Sequence, residues 1–405
     1  MTFPLRHSVA GALAAAVLAA SAPAHAYKFN DYVEVYGYGQ VWLTLWEEME
    51  DAKGLFQQPS KDEAADALSG FSLGKARLGI RLAYPELDLS LHAQARLEKD
   101  FMLLDADIGW APVRWFTLHV GQLKVPGSFE ALTEDRGLDF ILRTDITTGM
   151  ADWSLSKAQH SVSLLYGSAS NLRDLGLSVK GEVGGRWLQG RYFLMVGNGL
   201  GAGMYFGGAT KKEYWITNKA QFYYAGRLEI AVPGKVALAA FGSYNRHDNI
   251  VFNSGRAVYD INRRMVGGDL RVEIPRTGVR LYGLGGGGQI RDDFNGDGKV
   301  DLRYLGWAAA AMWNVFPAID ALFNWQPPEG HALELGFRYD MIETQQDDAP
   351  AMVHKDHYTL GLSYLAGEHV KVQLNYILRR NQDPAHLEQA ALKNDIVFAN
   401  FQAAF

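Results

Sequence analysis

The chain has no cysteine in 405 residues, which excludes disulfides, thiolate metal centres and a lipidated cysteine anchor. It also lacks any run of about twenty uninterrupted apolar residues, so no segment reads as a helix crossing a hydrocarbon core of roughly 30 Å. There is no basic excess: a net charge of −6 offers no electrostatic footprint for nucleic acid. The 11 histidines are scattered without metal spacing. Neither His119 nor His160 beside Ser161 has the companions that nucleophilic catalysis needs. Disorder is excluded in turn, because 48% of the residues are hydrophobic and 12% aromatic.

What is present starts at the N-terminus. Arg6 and His7 precede an apolar run from Val9 to Ala20, and small residues stand at Ala24 and Ala26. This is the pattern of a secretory signal peptide over 1–26, with a mature chain of one domain, 27–405. At the other end, Val397, Ala399, Phe401, Ala403 and Phe405 alternate with Phe398, Asn400, Gln402 and Ala404. A strand of period two that stops on an aromatic residue resembles the C-terminal signal by which outer-membrane barrels are recognised by the barrel assembly machinery.

Between the ends, segments of about ten residues alternate in polarity, the lipid-out and lumen-in code of a membrane strand. Leu89, Leu91, Ala93, Ala95 and Leu97 oppose Ser90, His92, Gln94, Arg96 and Glu98, and the 370–379 segment repeats the pattern. A helix would scatter these charges over its apolar face, whereas a strand sends them to one side. Short turns are expected at Pro85, Ala111–Arg114, Gly184–Gly185, Pro233–Lys235, Pro275–Gly278, within 315–330 and at Ala366–Glu368. Long connections fall at 47–70, 99–103, 123–172, 198–216, 247–262, 291–301, 345–355 and 381–393. Seven turns and eight loops give an all-β transmembrane antiparallel barrel of about sixteen strands, or eighteen if 315–330 holds an extra hairpin. Tyr32, Tyr36, Tyr38, Trp42 and Trp46 read as girdle residues at a membrane interface.

The connection 123–172 is too long for a simple barrel loop, and its expected place is folded into the lumen. It starts at Gly121-Gln122-Leu123-Lys124-Val125-Pro126 and continues through Phe129, Glu130, Leu132, Thr133, Arg136, Leu138, Phe140 and Arg143. This stretch resembles the phosphate-selective porin O and P family. The resemblance implies a trimeric barrel of sixteen strands with a basic constriction. It departs from the family pattern at Leu123 and Leu142, and Glu134, Asp135 and Asp139 put acid where a phosphate trap would want base.

Alternation points Lys75, Arg77, Arg81 and Arg96 inward from neighbouring strands about 5 Å apart. Together with Lys124, Arg136 and Arg143 from the third loop, they form the expected pore-lining basic set. Fixed cations of this kind replace part of an anion's hydration shell. Inward acids, among them Glu34, Glu98, Asp105, Asp107, Glu229, Asp269 and Glu273, bring the lumen close to charge balance.

The expected function is therefore that of a non-enzymatic porin in a bacterial outer membrane. It would pass small polar solutes with a weak preference for anions, phosphate among them, and would meet lipid and lipopolysaccharide on its outside. An enzyme barrel or an adhesive barrel without a conducting pore is the alternative. No cofactor is required, but Asp293, Asn295, Asp297, Lys299 and Asp301 stand at the first, third, fifth, seventh and ninth positions of a calcium loop, with Gly298 at the sixth. Tyr304 replaces the bidentate glutamate of a full EF-hand. Calorimetry should show calcium binding by the parent and its loss in Asp297→Ala; equal affinity in both would identify a plain Asx/Gly turn.

Overall fold

A computed structural model describes residues 27–46, 70–98, 101–147, 172–199, 214–216, 222–252, 257–294, 299–325, 327–346, 352–382 and 395–405. The long strands are β1 (Val33–Trp46), β2 (Gly70–Tyr84), β3 (Leu89–Arg96), β4 (Met102–Val113), β5 (Phe116–Lys124), β6 (Arg173–Gly184), β7 (Gln189–Gly197) and β8 (Tyr223–Val232). They continue as β9 (Val236–Phe252), β10 (Ala257–Ile274), β11 (Val279–Phe294), β12 (Lys299–Asn314), β13 (His331–Gln346), β14 (Met352–Ala366), β15 (Val370–Gln382) and β16 (Ile396–Ala404). Each pairs antiparallel with its neighbours in sequence, and β16 pairs back onto β1 from Ile396↔Trp46 to Ala404↔Tyr38. The ladder thus closes into a barrel of sixteen staves. Two short strands, Tyr27–Asn30 and Tyr214–Ile216, pair with β1 and β9 and add no stave.

The eighteen-strand alternative fails at 315–330, where the chain forms a helix, Phe316–Phe323, instead of a hairpin. Pro317 sits in its first turn, where its missing N–H costs nothing, and Asn324 ends it in the left-handed region, its N–H bonded to the Asp320 carbonyl. The other six turns fall where the sequence places them. Several connections at the opposite end are shorter than expected because the ladders run on. Val251↔Val258 and Arg291↔Asp301 are still paired, so most of 247–262 and 291–301 is strand. A tilted strand needs only about 9–11 residues to cross the bilayer, so β9 to β12 project beyond it.

Side-chain alternation sets the two faces. In β15, Lys371, Gln373, Asn375 and Arg379 are buried while Leu374 and Tyr376 are exposed; in β16, Phe398, Asn400 and Gln402 are buried. Outward apolar residues meet lipid, and inward polar residues meet each other. Tyr36 and Tyr38 correct the girdle reading, because both are buried inside the wall. Tyr36 needs Gly79 opposite it, where an added Cβ would strike the phenol ring.

Phe405 extends the closing seam beyond the β16–β1 ladder. Phe405 exchanges two backbone hydrogen bonds with Gly37, at 3.0 and 2.9 Å, and a Cβ on Gly37 would come within 2.8 Å of the Phe405 ring. Deleting Phe405, or filling its seat by Gly37→Leu, should lower the heat-modifiable assembled fraction on gels. Assembly at the parent level in both variants would contradict this role.

Candidate functional site: a constriction clamped by the third loop

The segment after β5 does not leave the barrel mouth. The Arg227 guanidinium of β8 donates to the Gly127 carbonyl at 2.9 Å, and Asp269 of β10 accepts from the Phe129 N–H at 2.9 Å. Arg280 of β11 donates to Asp139 at 2.7 Å, and Arg338 of β13 donates to the Leu142 carbonyl at 2.7 Å. On the far side Asn375 of β15 accepts from the Ile141 N–H at 2.8 Å, and Gln402 of β16 donates to the Arg136 carbonyl at 3.3 Å. All six partners stand on the inward face of the wall. A segment held by strands so far around a closed ring crosses the bore.

Local sequence makes this segment self-supporting. Ser128 caps the short helix α1 (Phe129–Leu132) by accepting from the Ala131 N–H. The Glu130 carboxylate accepts from the Thr144 N–H at 3.0 Å and from its hydroxyl at 2.5 Å, which folds the segment back on itself. Its apolar side chains then seat on the wall. Phe140 lies over Gly336 and Gly361, and Ile146 over Gly306, positions where a Cβ would collide with them. Ile146 joins Phe241, Leu284, Ile290, Tyr304 and Ile342 in one apolar cluster, and Phe140 joins Tyr282 and Met312 in another. The loop therefore seats its apolar side along β9–β14.

The structure gathers the expected basic residues, but around carboxylates. Asp135 of the loop contacts Lys75 at 3.9 Å, Arg77 at 3.4 Å and Arg143 more closely still. Arg77 is also held by Glu98. Arg81 meets Glu34 at 3.3 Å and Glu134 at 3.7 Å, and Glu134 also binds Arg136 at 2.7 Å. Lys124 donates to the carbonyls of Leu132 and Thr133 at 2.7 and 3.1 Å, tying the loop to β5. Arg96 lies directly opposite Arg77 in the β2–β3 ladder. Burial alone would push the Asp135 carboxyl up, but Arg143, Lys75 and Arg77 together hold it well below the usual carboxylate range. A carboxyl with a depressed value lends its stability above the unfolded pKa and loses it only as pH falls through the folded one. The clamp should thus persist at pH values near the ordinary aspartate pKa of about 3.9.

Beside the clamp, a second polar network runs over β3–β6. There Asp105 receives Arg173 at 2.7 Å, Asp107 is bonded to His119 at 2.7 Å and approached by His92 at 3.4 Å, and His92 meets the Tyr36 hydroxyl at 2.5 Å. Lys180 lies 4.4 Å from the Phe193 ring centroid. Its neighbours along β6, Val179 and Leu177, belong to the outward set. The loop anchors Arg280, Arg338 and Lys371 are absent from the expected basic set, although alternation marks them: in β13, Glu334, Arg338 and Asp340 are buried while Leu335 and Phe337 are exposed.

Among the described residues Asp145, Asp340 and His357 offer oxygen and nitrogen atoms within 4.8 Å of one another. The hydrogen bonding does not suit a metal. Arg379 donates to His357 Nε2 at 3.2 Å, so Nδ1 carries the proton and points at Asp145, 3.2 Å away. The trio is a hydrogen-bonded latch at the end of the loop. Of the candidate calcium ligands, Asn295 and Asp297 lie outside the described residues, as does the segment 1–26; Asp293 pairs with Lys299 across the β11–β12 tip.

A closed barrel with an apolar exterior, a charged lumen and a loop across the bore defines an outer-membrane porin. Residues 288–405 match the model of the phosphate-selective porin O and P family. The stretch Gly121–Arg143 lies outside the matched residues. None of the curated proteins matches the chain. Solved structures share its fold at low identity. An anion-selective porin from Comamonas acidovorans is 12% identical with a TM-score of 0.54, covering 92% of this chain and 99% of that one. The outer membrane channel DcaP of Acinetobacter baumannii is 10% identical with a TM-score of 0.54, covering 94% and 99%. OmpT of Vibrio cholerae in its trimer form is 13% identical with a TM-score of 0.52, covering 92% and 99%.

Removing the central carboxylate should loosen the clamp. Asp135→Asn leaves Lys75, Arg77 and Arg143 without their shared partner, so single-channel current should become noisier and the zero-current potential should move toward anions. Quiet, parent-like openings at an unchanged potential would show that Asp135 does not hold the loop.

Proposed function

We propose that this porin passes small polar solutes by passive diffusion with a modest preference for anions, phosphate among them, and that it works as a homotrimer. The observation that carries the preference is Lys180. The seven expected cations are engaged with loop or wall groups, whereas Lys180 stands on the inward face of β6 and has no ion-pair partner among the described residues. Asp105 and Asp107 attract it from a distance, but each is already engaged by Arg173 or by His119 and His92. An anion passing along the inward face of β6 would meet this ammonium.

The trimer is supported by the family match and by the trimeric neighbour, and the anion preference by the anion selectivity of the Comamonas porin. A channel is favoured over an enzyme barrel by the family and the fold. Lipopolysaccharide and the assembly machinery remain the expected partners outside the pore, and calcium at the β11–β12 tip remains part of the reading on the ligand pattern of the sequence.

One unit charge at 4 Å in water is worth about 1 kcal/mol, roughly five-fold in local anion concentration. Lys180→Gln should therefore lower the anion-to-cation permeability ratio, read from the zero-current potential under a potassium chloride gradient, by up to roughly five-fold. A parent channel that is already cation-selective, or a ratio untouched by the substitution, would overturn the anion reading.

A further inference from the structure

At the turn end of the barrel, six connections reverse direction tightly, but the one after β12 spends residues 315–330 on the helix α2 (Phe316–Phe323). That helix is fixed to the strand ends. The Val315 N–H donates to the Leu333 carbonyl at 2.8 Å, and Asn314 Oδ1 accepts from the Phe316 N–H at 3.2 Å. Phe316 is buried and takes the Trp325 ring edge-on at 5.4 Å. At helical spacing Ile319 and Phe323 share a side with Phe316, and Leu322 adjoins Ile319 and Phe323 on the same apolar flank. Only part of that side is covered: Leu322 and Phe323 are 76% and 74% exposed.

Such exposure in a helix that is pinned to the barrel at its start requires an occupant, and its surroundings indicate which. Trp313 and Leu335, directly opposite each other in the β12–β13 ladder, are both exposed outward and belong to the lipid-facing belt. The helix starts three residues beyond Trp313. Trp115 and Trp187, in the β4–β5 and β6–β7 turns, are exposed at the same end, and a ring of outward aromatic residues at one level marks the interface between acyl chains and headgroups. α2 carries no basic side chain and a single carboxylate, Asp320, which is half-buried, so it has little charge to offer a polar protein surface.

We propose that α2 is an interfacial anchor: its apolar side, centred on Leu322 and Phe323 and extended by Trp325, inserts among the phospholipids of the leaflet at the turn end of the barrel. The inserted side continues the lipid belt of β12 and β13 and adds apolar area at the depth where short amphipathic helices lie in a bilayer. The anchor also fixes how deep this sector of the wall sits, because α2 cannot shift without the ends of β12 and β13.

The absence of cysteine makes the test direct. Single cysteines at Leu322, Phe323 and, as an aqueous reference, Lys235 in the β8–β9 turn would carry a nitroxide label in the full-length protein, refolded into phosphatidylethanolamine–phosphatidylglycerol vesicles. Heat-modifiable migration checks that each variant is folded. Labels at 322 and 323 should collide more with oxygen than with a water-soluble nickel chelate, and the label at 235 should do the reverse. Nickel access at 322 and 323 equal to that at 235 would overturn the proposal by placing α2 in water. Exclusion of both reagents would overturn it equally, by placing the helix against protein.

Discussion

A backbone in hydrocarbon has no water to bond to, so every N–H and C=O that crosses the membrane must find a partner in the chain. For strands this condition is met only by a ladder without edges. Here the last strand returns to the first, and Phe405 completes the seam against Gly37. Closure then fixes everything perpendicular to the wall. Once one residue of a strand faces lipid, the pleat decides the side of all the others. Leucine, valine and tryptophan are left outside, and arginine, aspartate and glutamine inside.

A ring of sixteen staves leaves a bore wide enough to need filling. The third loop narrows it, and the wall prepares two kinds of seat. Beside β9–β14 the seat is apolar, with glycines at 306, 336 and 361 leaving room for Ile146 and Phe140. Beside β2, β11 and β13 it is ionic, with Arg77, Arg280 and Arg338 reaching loop oxygens. The combination is understandable from the energetics of charge. An arginine inside a partly dehydrated pore is costly unless it is paired, and a loop carboxylate or carbonyl both neutralises it and gains a fixed position. Most lumenal cations are thus structural first, and selectivity falls to the charges that remain.

The barrel is legible in the sequence because its rule is periodic. Strands, turns and both faces follow from alternation, and the helix at 316–323 escapes because Pro317, Pro327 and Pro328 say where a ladder stops without saying what fills the gap. Tyr36 and Tyr38 read as girdle residues yet face inward, since tyrosine is equally at home at a membrane interface and on a polar inner wall. The basic residues are recognisable as a set. Their partners are not, because a loop that crosses the bore can bring Asp135 beside Lys75 and Arg77 from some sixty residues away, and no local pattern records that meeting. The glycines that seat Phe140 and Ile146 are equally silent: in sequence they look like ordinary strand glycines.

If the third loop is fixed across the bore with its apolar side on β9–β14, the conducting channel must already hold it there. A cysteine pair at Ile146 and Gly306 tests this most directly, because a Cβ on Gly306 would lie 3.2 Å from that of Ile146, near the roughly 3.5–4.5 Å a disulfide needs. The pair should oxidise readily, and single-channel conductance in a planar bilayer should be the same before and after oxidation. A pair that does not oxidise in the folded barrel, or a conductance that falls when it does, would show that the open channel holds its loop elsewhere.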